Sequence, residues 1–206
     1  MNIGVFASGR GSNFEAILHA IERGELPARV VLLVSDKSSA GALDLARAHN
    51  IPAVHLSPAQ FPGEEAYAER LLALLSEYRV ELIALAGYLK KIPGRVVQQY
   101  RNRIVNIHPA LLPKFGGPGM YGLHVHKAVL AAGETTSGAT VHLVDEEYDH
   151  GAIVMQKTVE VLPHDTPETL AARVLAVEHE LYPQVLRAFA EGRVRINGNS
   201  VWIQPS

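Results

Sequence analysis

Apolar residues recur along this chain with two alternating periods. Residues 3–7 form a short continuous apolar run closed by Ser8 and Gly9, the pattern of a strand buried on both faces. From residue 13 to 23 the period changes, and Phe14, Ile17, Leu18 and Ile21 fall on one side of a helix. The alternation continues with a strand at 29–34, a helix at 40–49 with Leu43, Leu45 and Ala46 toward the sheet, and a short strand at 53–56. A long amphipathic helix at 64–78 (Tyr67, Leu71, Leu74, Leu75) precedes strands at 82–86 and 104–107. Strands separated by helices require crossover connections, which predicts a parallel sheet covered by helices on both faces.

The second half changes style. A short helix is expected at 125–132, and two long strands at 136–144 and 152–161 flank an acidic turn, a hairpin appended to the sheet. Thr166 opens a helix with Pro167 at its first position and Glu168 in its first turn, running to about residue 189. Residues 194–203 read as a small hairpin around Gly198-Asn199. The expected fold is therefore α/β, a Rossmann-like and mostly parallel sheet with helices on both faces and an appended C-terminal antiparallel hairpin. No repeat or linker interrupts it, and the Gly/Pro-rich stretch at 115–122 reads as a loop. The chain is expected to be one domain over 1–206, with halves meeting near residues 105 and 106.

Composition narrows the classes. With 206 residues and 48% hydrophobic content the chain can bury a substantial core. A net charge of -2 without long runs of like charge speaks against nucleic acid and membrane surfaces as partners. The chain has no cysteine, which removes disulfides, thiolate nucleophiles and cysteine zinc sites. Met1-Asn2 runs straight into the first strand without a basic segment, and no apolar stretch reaches the roughly 18 residues of a membrane span. A soluble cytoplasmic protein is the expectation.

Two places carry candidate chemistry. Gly9-Arg10-Gly11-Ser12-Asn13 follows the first strand and opens the first helix, where free N–H groups and the helix dipole favour an anion. Gly11 admits close approach of a ligand, and Ser12 and Asn13 add donors. Ser12-Asn13-Phe14-Glu15 also matches a capping box, which needs no ligand. A dinucleotide reading is weaker: the third glycine of that fingerprint is replaced by Phe14, and an Asp such as Asp36 after a strand is commonplace.

At the end of the strand at 104–107, Asn106 and His108 stand two apart and so share one face. An amide and an imidazole aimed at one point suit oxyanion stabilisation and proton transfer. Pro109 and Pro113 stiffen the loop beyond them. Asp149 lies in an acidic turn; were it to reach His108 it would favour the charged imidazole and raise its pKa. His124, His126, His142 and His150 invite a metal, but without an accompanying carboxylate motif, capping or packing explains His124 and His126 more cheaply.

Taken together the motifs resemble the folate-dependent glycinamide ribonucleotide formyltransferase family. The resemblance spans nearly the whole chain and rests on Phe6-Ala-Ser-Gly-Arg-Gly-Ser-Asn13, Leu85-Ala-Gly-Tyr88, Asn106-Ile-His-Pro-Ala-Leu-Leu-Pro-Lys114 and Gly122-Leu-His-Val-His126. Ser137-Gly138, Val141-His142, Asp149-x-Gly151, Ala172-Arg-Val174 and Glu178-His179 complete it. It implies that Gly11, Ser12 and Asn13 hold the phosphate of glycinamide ribonucleotide, and that Leu175, Ala176, Val177 and Glu178 contact the same substrate, Glu178 near the ribose. It implies that Leu89, Lys90, Lys91 and Ile92 line a folate pocket, with Asp145, Glu146, Glu147, Tyr148 and Asp149 looping round the pterin. Asn106, His108 and Asp149 are the catalytic trio it implies, with Asn106 also touching folate and Asp149 keeping His108 cationic. The half to about residue 105 then binds phosphate, and the remainder is catalytic and folate-binding.

The implied reaction moves the formyl group of 10-formyltetrahydrofolate to the amine of glycinamide ribonucleotide, in purine biosynthesis, with no metal required. Nucleic acid and membrane are not expected as partners, and a homodimer is admitted without being required. Two departures stand out: a longer loop at 115–121, and Glu64 where some relatives have an arginine touching folate. Methionyl-tRNA formyltransferase normally adds a tRNA domain, and formyltetrahydrofolate hydrolase an N-terminal regulatory domain, neither of which is expected here. A non-catalytic nucleotide-binding module gives no reason for Asn106, His108 and Asp149.

Overall fold

The apolar runs of the first half pair as parallel strands. A computed structural model describes residues 1–205 and divides into two compact units, Met1–Asn106 and Ile107–Ser206. In the first unit the strands are β1 (Asn2–Phe6), β2 (Arg29–Ser35), β3 (Ala53–His55), β4 (Leu82–Leu85) and β5 (Ile104–His108), the last running past the division. Their order is β3-β2-β1-β4-β5, all parallel. Ile3, Val5, Phe6, Leu32, Leu33, Val34, Ile83 and Ala84 are fully buried, as unbroken apolar strands between two helical layers must be.

The helices are α1 (Ser12–Glu22), α2 (Gly41–Ala48), α3 (Glu64–Glu77) and α4 (Gly94–Gln99). From β1 the chain moves outward through β2 to β3, then returns to lay β4 on the other side of β1. Right-handed crossovers in opposite directions put α1 and α2 on one face and α3 and α4 on the other. The reversal falls between β1 and β4, and in sheets of this kind ligands collect beyond the C-terminal strand ends at such a point. Helix α4 has no counterpart in the periodicity. It is six residues long, opened by Pro93, and buries only Val96 and Val97, too little to register as a period.

In the second unit α5 (Leu123–Ala131) is followed by β6 (Thr136–Leu143) and β7 (Ile153–Glu160), an antiparallel pair with an irregularity between Val141 and His142. Helix α6 (Pro167–Ala190) starts at Thr166, whose hydroxyl accepts the Thr169 N–H, and packs on α5, β6 and β7 through Leu170, Val174, Leu181, Val185 and Leu186. Strands β8 (Val194–Asn197) and β9 (Ser200–Ile203) form the expected C-terminal hairpin. The mostly parallel α/β architecture with an appended antiparallel hairpin is thus what the pattern of residues predicts. No helix among the described residues is long and apolar enough to cross a membrane.

Candidate active site

The turn after β1 shows how the first candidate segment is built. Gly11, at φ 90, is the residue before α1, and no side chain caps this helix. The capping box expected from Ser12 and Glu15 is therefore absent. The helix begins one residue earlier than that motif needs, so Ser12 is already helical and its hydroxyl is not spent on a cap. Gly11 is required twice: its φ is left-handed, and a Cβ there would lie 2.9 Å from the Cβ of Ala42. The result is an uncapped N-terminus of an 11-residue helix, with Ser12 half-buried and Asn13 buried beside it. Such an end attracts an anion.

Leu89, Lys90, Lys91 and Ile92 lie between β4 and α4. Leu89, Lys90 and Lys91 are exposed and Ile92 is buried. The backbone ties this segment to the turn after β1, because the Ser8 N–H donates to the Gly87 carbonyl (3.0 Å) and the Leu89 N–H donates to the Ser8 hydroxyl (2.9 Å). The expected phosphate and folate segments are thus brought together at the reversal point of the sheet. Asp36 does not stand open for a ribose; it is buried and accepts from the Ser8 hydroxyl. Asn106 on β5, half-buried, is paired in register with Leu85 on β4, and Glu64 is exposed at the start of α3.

In the second unit the structure joins His108 to Asp149. His108, with 3% of its side chain exposed, places Nδ1 3.5 Å from Oδ2 of Asp149. Its Nε2 lies 2.8 Å from the Phe115 carbonyl. Asp149 stands at φ 54, a left-handed conformation that Asp tolerates. Its other oxygen, Oδ1, lies 3.4 Å from Nε2 of His142, and Oδ2 also accepts the Gly117 N–H at 3.0 Å. Gly116 makes this approach feasible: a Cβ there would sit 2.5 Å from a Leu112 methyl and 3.1 Å from the Asp149 Cβ.

Burial pushes the His108 imidazole below its ordinary value, the Asp149 carboxylate and the Phe115 carbonyl pull the other way, and His142 adds to the lowering. The expectation that Asp149 keeps His108 cationic is corrected here: the carboxylate acts in the expected direction, but desolvation of a nearly inaccessible ring outweighs it. For Asp149, burial acts to raise the carboxyl, yet the hydrogen bond from His142, the His108 charge and the Gly117 N–H together hold it below its ordinary value.

The remaining candidates divide. Asp145 accepts the Glu147 N–H and pairs with His150 at 2.9 Å, while Glu146, Glu147 and Tyr148 are exposed around the same turn. On α6 the four residues expected to touch one substrate differ in orientation and burial. Leu175 and Glu178 are three apart and share a side, with Glu178 buried; Val177 is half-buried and Ala176 is exposed. The histidines of the 122–126 motif part company. His124 is exposed and stacks edge-on against Tyr121, whereas His126 is buried on α5 and pushed down by burial and by the His108 charge. No group of three metal-ligating side chains is found among the described residues.

His142 and the backbone of Phe115 and Gly117 are site components that the residue pattern did not single out for this role. The available signal was the spacing of Thr140 and His142, two polar residues on one face of an otherwise apolar strand, the same device as Asn106 and His108. Thr140 donates to the Ala110 carbonyl and accepts the Leu112 N–H, so it anchors the chain just past His108.

The first unit thus offers an uncapped helix start at the reversal point of a parallel sheet, and the second a buried His–Asp pair. The formyl transferase family model matches residues 1–186, and the chain belongs to that family. It is 47% identical to phosphoribosylglycinamide formyltransferase, chloroplastic, of Arabidopsis thaliana, over 94% of this chain and 66% of that protein. The chain thus spans just under two thirds of that relative's length. Phosphoribosylglycinamide formyltransferase of Bacillus subtilis is 41% identical over 89% of this chain and 91% of its own. The crystal structure of glycinamide ribonucleotide transformylase 1 from Symbiobacterium toebii superimposes with a TM-score of 0.93 at 41% identity, covering 100% of this chain and 94% of the other.

Proposed function

We propose that this protein transfers the formyl group of 10-formyltetrahydrofolate to the amine of glycinamide ribonucleotide, producing formylglycinamide ribonucleotide and tetrahydrofolate for purine biosynthesis in the cytoplasm. The observation that carries the reading is the buried His108–Asp149 pair, in which His108 stands on the strand that also presents Asn106. Gly11, Ser12 and Asn13 hold the substrate phosphate at the α1 N-terminus, and Glu178 meets its ribose. Leu89, Lys90, Lys91 and Ile92 line the folate pocket, with the turn from Asp145 to Asp149 around the pterin.

The amine nitrogen attacks the formyl carbon, forming a C–N bond and a tetrahedral centre whose oxygen gains negative charge. The Asn106 amide donates to that oxygen. His108 is neutral because it is buried, and in the structure its Nε2–H donates to the Phe115 carbonyl; with substrate in place the ring proton shifts to Nδ1, toward Asp149, and Nε2 takes the proton from the attacking nitrogen. The imidazolium formed in this step is stabilised by Asp149, and it returns the proton to N10 as the C–N10 bond breaks. No covalent enzyme intermediate arises.

Formyl transfer measured with glycinamide ribonucleotide, initiator methionyl-tRNA and water as acceptors tests the reading. Turnover with the ribonucleotide alone is expected, and transfer only to tRNA or water overturns it. In the same assay Ser12→Ala raises the ribonucleotide KM by about tenfold, the scale of one charge-assisted hydrogen bond, with little change in the folate KM. The reverse pattern, read by calorimetry with each ligand separately, removes the phosphate assignment.

A further inference from the structure

The buried carboxylate of Asp36 has no part in the chemistry above, yet it stands at the end of a polar chain that reaches a pocket segment. We propose that Asp36 is a positioning residue that acts through Ser8 to fix the Leu89 peptide, and with it the folate-binding segment from Leu89 to Ile92. The inference rests on the folate assignment made under Proposed function.

Asp36 follows the last residue of β2 and is buried, with 7% exposed; Ser8 follows β1 and is buried to a similar degree. The Ser8 hydroxyl donates its one proton to Oδ1 of Asp36 and accepts the Leu89 N–H at 2.9 Å. A hydroxyl has one donor and two acceptor sites, so giving the proton to a carboxylate turns a lone pair toward Leu89 and makes the oxygen a better acceptor. The neighbouring Tyr88 is held separately. Its hydroxyl meets that of Tyr67 at 2.8 Å, and its ring stands edge-on to Phe6 at 5.3 Å. Residues 86–88 are therefore anchored by β1 and α3, and the Ser8 hydroxyl is the anchor of the next peptide.

The phosphate turn does not depend on Asp36 in this way. The Gly9 carbonyl accepts the Ala42 N–H at 3.1 Å, and Gly11 packs directly on Ala42. Loss of Asp36 is thus expected to loosen the folate segment while leaving the phosphate turn in place.

The test compares wild type, Asp36→Ala, Asp36→Asn and Ser8→Ala in the full chain. Hydrogen exchange of the peptide containing the Leu89 amide is measured alongside KM for each substrate. In Asp36→Ala the Leu89 amide exchanges about tenfold faster and the folate KM rises several-fold, while the ribonucleotide KM stays within twofold. Asp36→Asn, whose amide oxygen still accepts from Ser8, restores most of both. Ser8→Ala reproduces the Ala effect, and the double variant adds nothing to it. Unchanged Leu89 exchange in Asp36→Ala overturns the proposal. So does a fall in melting temperature accompanied by equal changes in both KM values and no rescue by Asn, the signature of a merely structural role. If wild type transfers no formyl group, the functional reading fails. The exchange data then still decide whether Asp36 holds Leu89.

Discussion

His108→Ala lowers formyl-transfer turnover by on the order of 10²–10⁴-fold and leaves both KM values within a few-fold. The magnitude follows from what the ring does. It sits with 3% exposure between the Asp149 carboxylate and the Phe115 carbonyl, and the two other buried imidazoles stand on other elements, β6 and α5. His142 is committed to Asp149 through Nε2 and to the Leu143 carbonyl through Nδ1, and His126 lies on α5. A proton carrier acts on the transition state, where the attacking nitrogen becomes acidic, and adds little to ground-state binding, so the loss falls on kcat. The Asn106→Ala variant behaves in the same sense, by about 10²-fold, because an oxyanion donor is also strongest at the transition state. Melting temperature is the control, since removing a buried ring leaves a cavity. A variant that stays folded and turns over near the wild-type rate removes His108 from the chemistry.

Much of the fold was legible because its causes are local. Apolar runs such as Val30-Val31-Leu32-Leu33-Val34 are long enough to announce strands covered on both faces, and Thr166-Pro167 announces the start of α6 through hydroxyl capping and a fixed φ. Helix α4 escaped because one apolar pair cannot show a period. The capping box at Ser12 was a true motif match overturned by one backbone angle: Gly11 enters the left-handed region and starts the helix early.

The site was legible in proportion to how local it is. Asn106 and His108 follow from the two-residue repeat of a strand, and the anion-ready turn follows from a Gly-rich strand-to-helix junction. The approach of Asp149 to His108 is a contact between distant parts of the chain, and nothing near either residue announces it. The net direction of the His108 shift is not legible for the same reason. A charge partner can be guessed from a motif, whereas the desolvation that outweighs it depends on every residue packed around the ring. The stretch from Leu175 to Glu178 lies on a helix, so its four side chains point in different directions and differ in burial, which a contiguous motif does not show.

Asp149→Asn lowers the kcat plateau by about 10²-fold and moves the acid limb of the kcat/KM profile to lower pH. Asn is the informative substitution. It tolerates the left-handed φ of 54 that would strain Ala, and its amide oxygen can still accept the Gly117 N–H, so the charge is the main thing removed. The plateau falls because the imidazolium formed at His108 loses its counter-charge, and truncating the partner of a buried charge is costly. The limb moves because the Asp149 charge raises the His108 pKa and burial lowers it; with only burial left, the ring stays neutral to lower pH, each unit being tenfold in protonation.

Stability carries the same sign. The Asp149 carboxyl is held below its ordinary value in the folded protein, so it contributes stability above that ordinary value, near pH 4, and the contribution is lost as pH falls through the folded value. The Asn variant therefore shows a shallower loss of melting temperature below about pH 4 than wild type. His108 resists protonation when folded, so wild type also weakens as pH drops below the ordinary imidazole value near 6.5, and the Asn variant does so more steeply. If the limb instead moves to higher pH, or turnover decays only on the alkaline side, His108 works as a preformed cation and the proton route through its neutral ring is wrong.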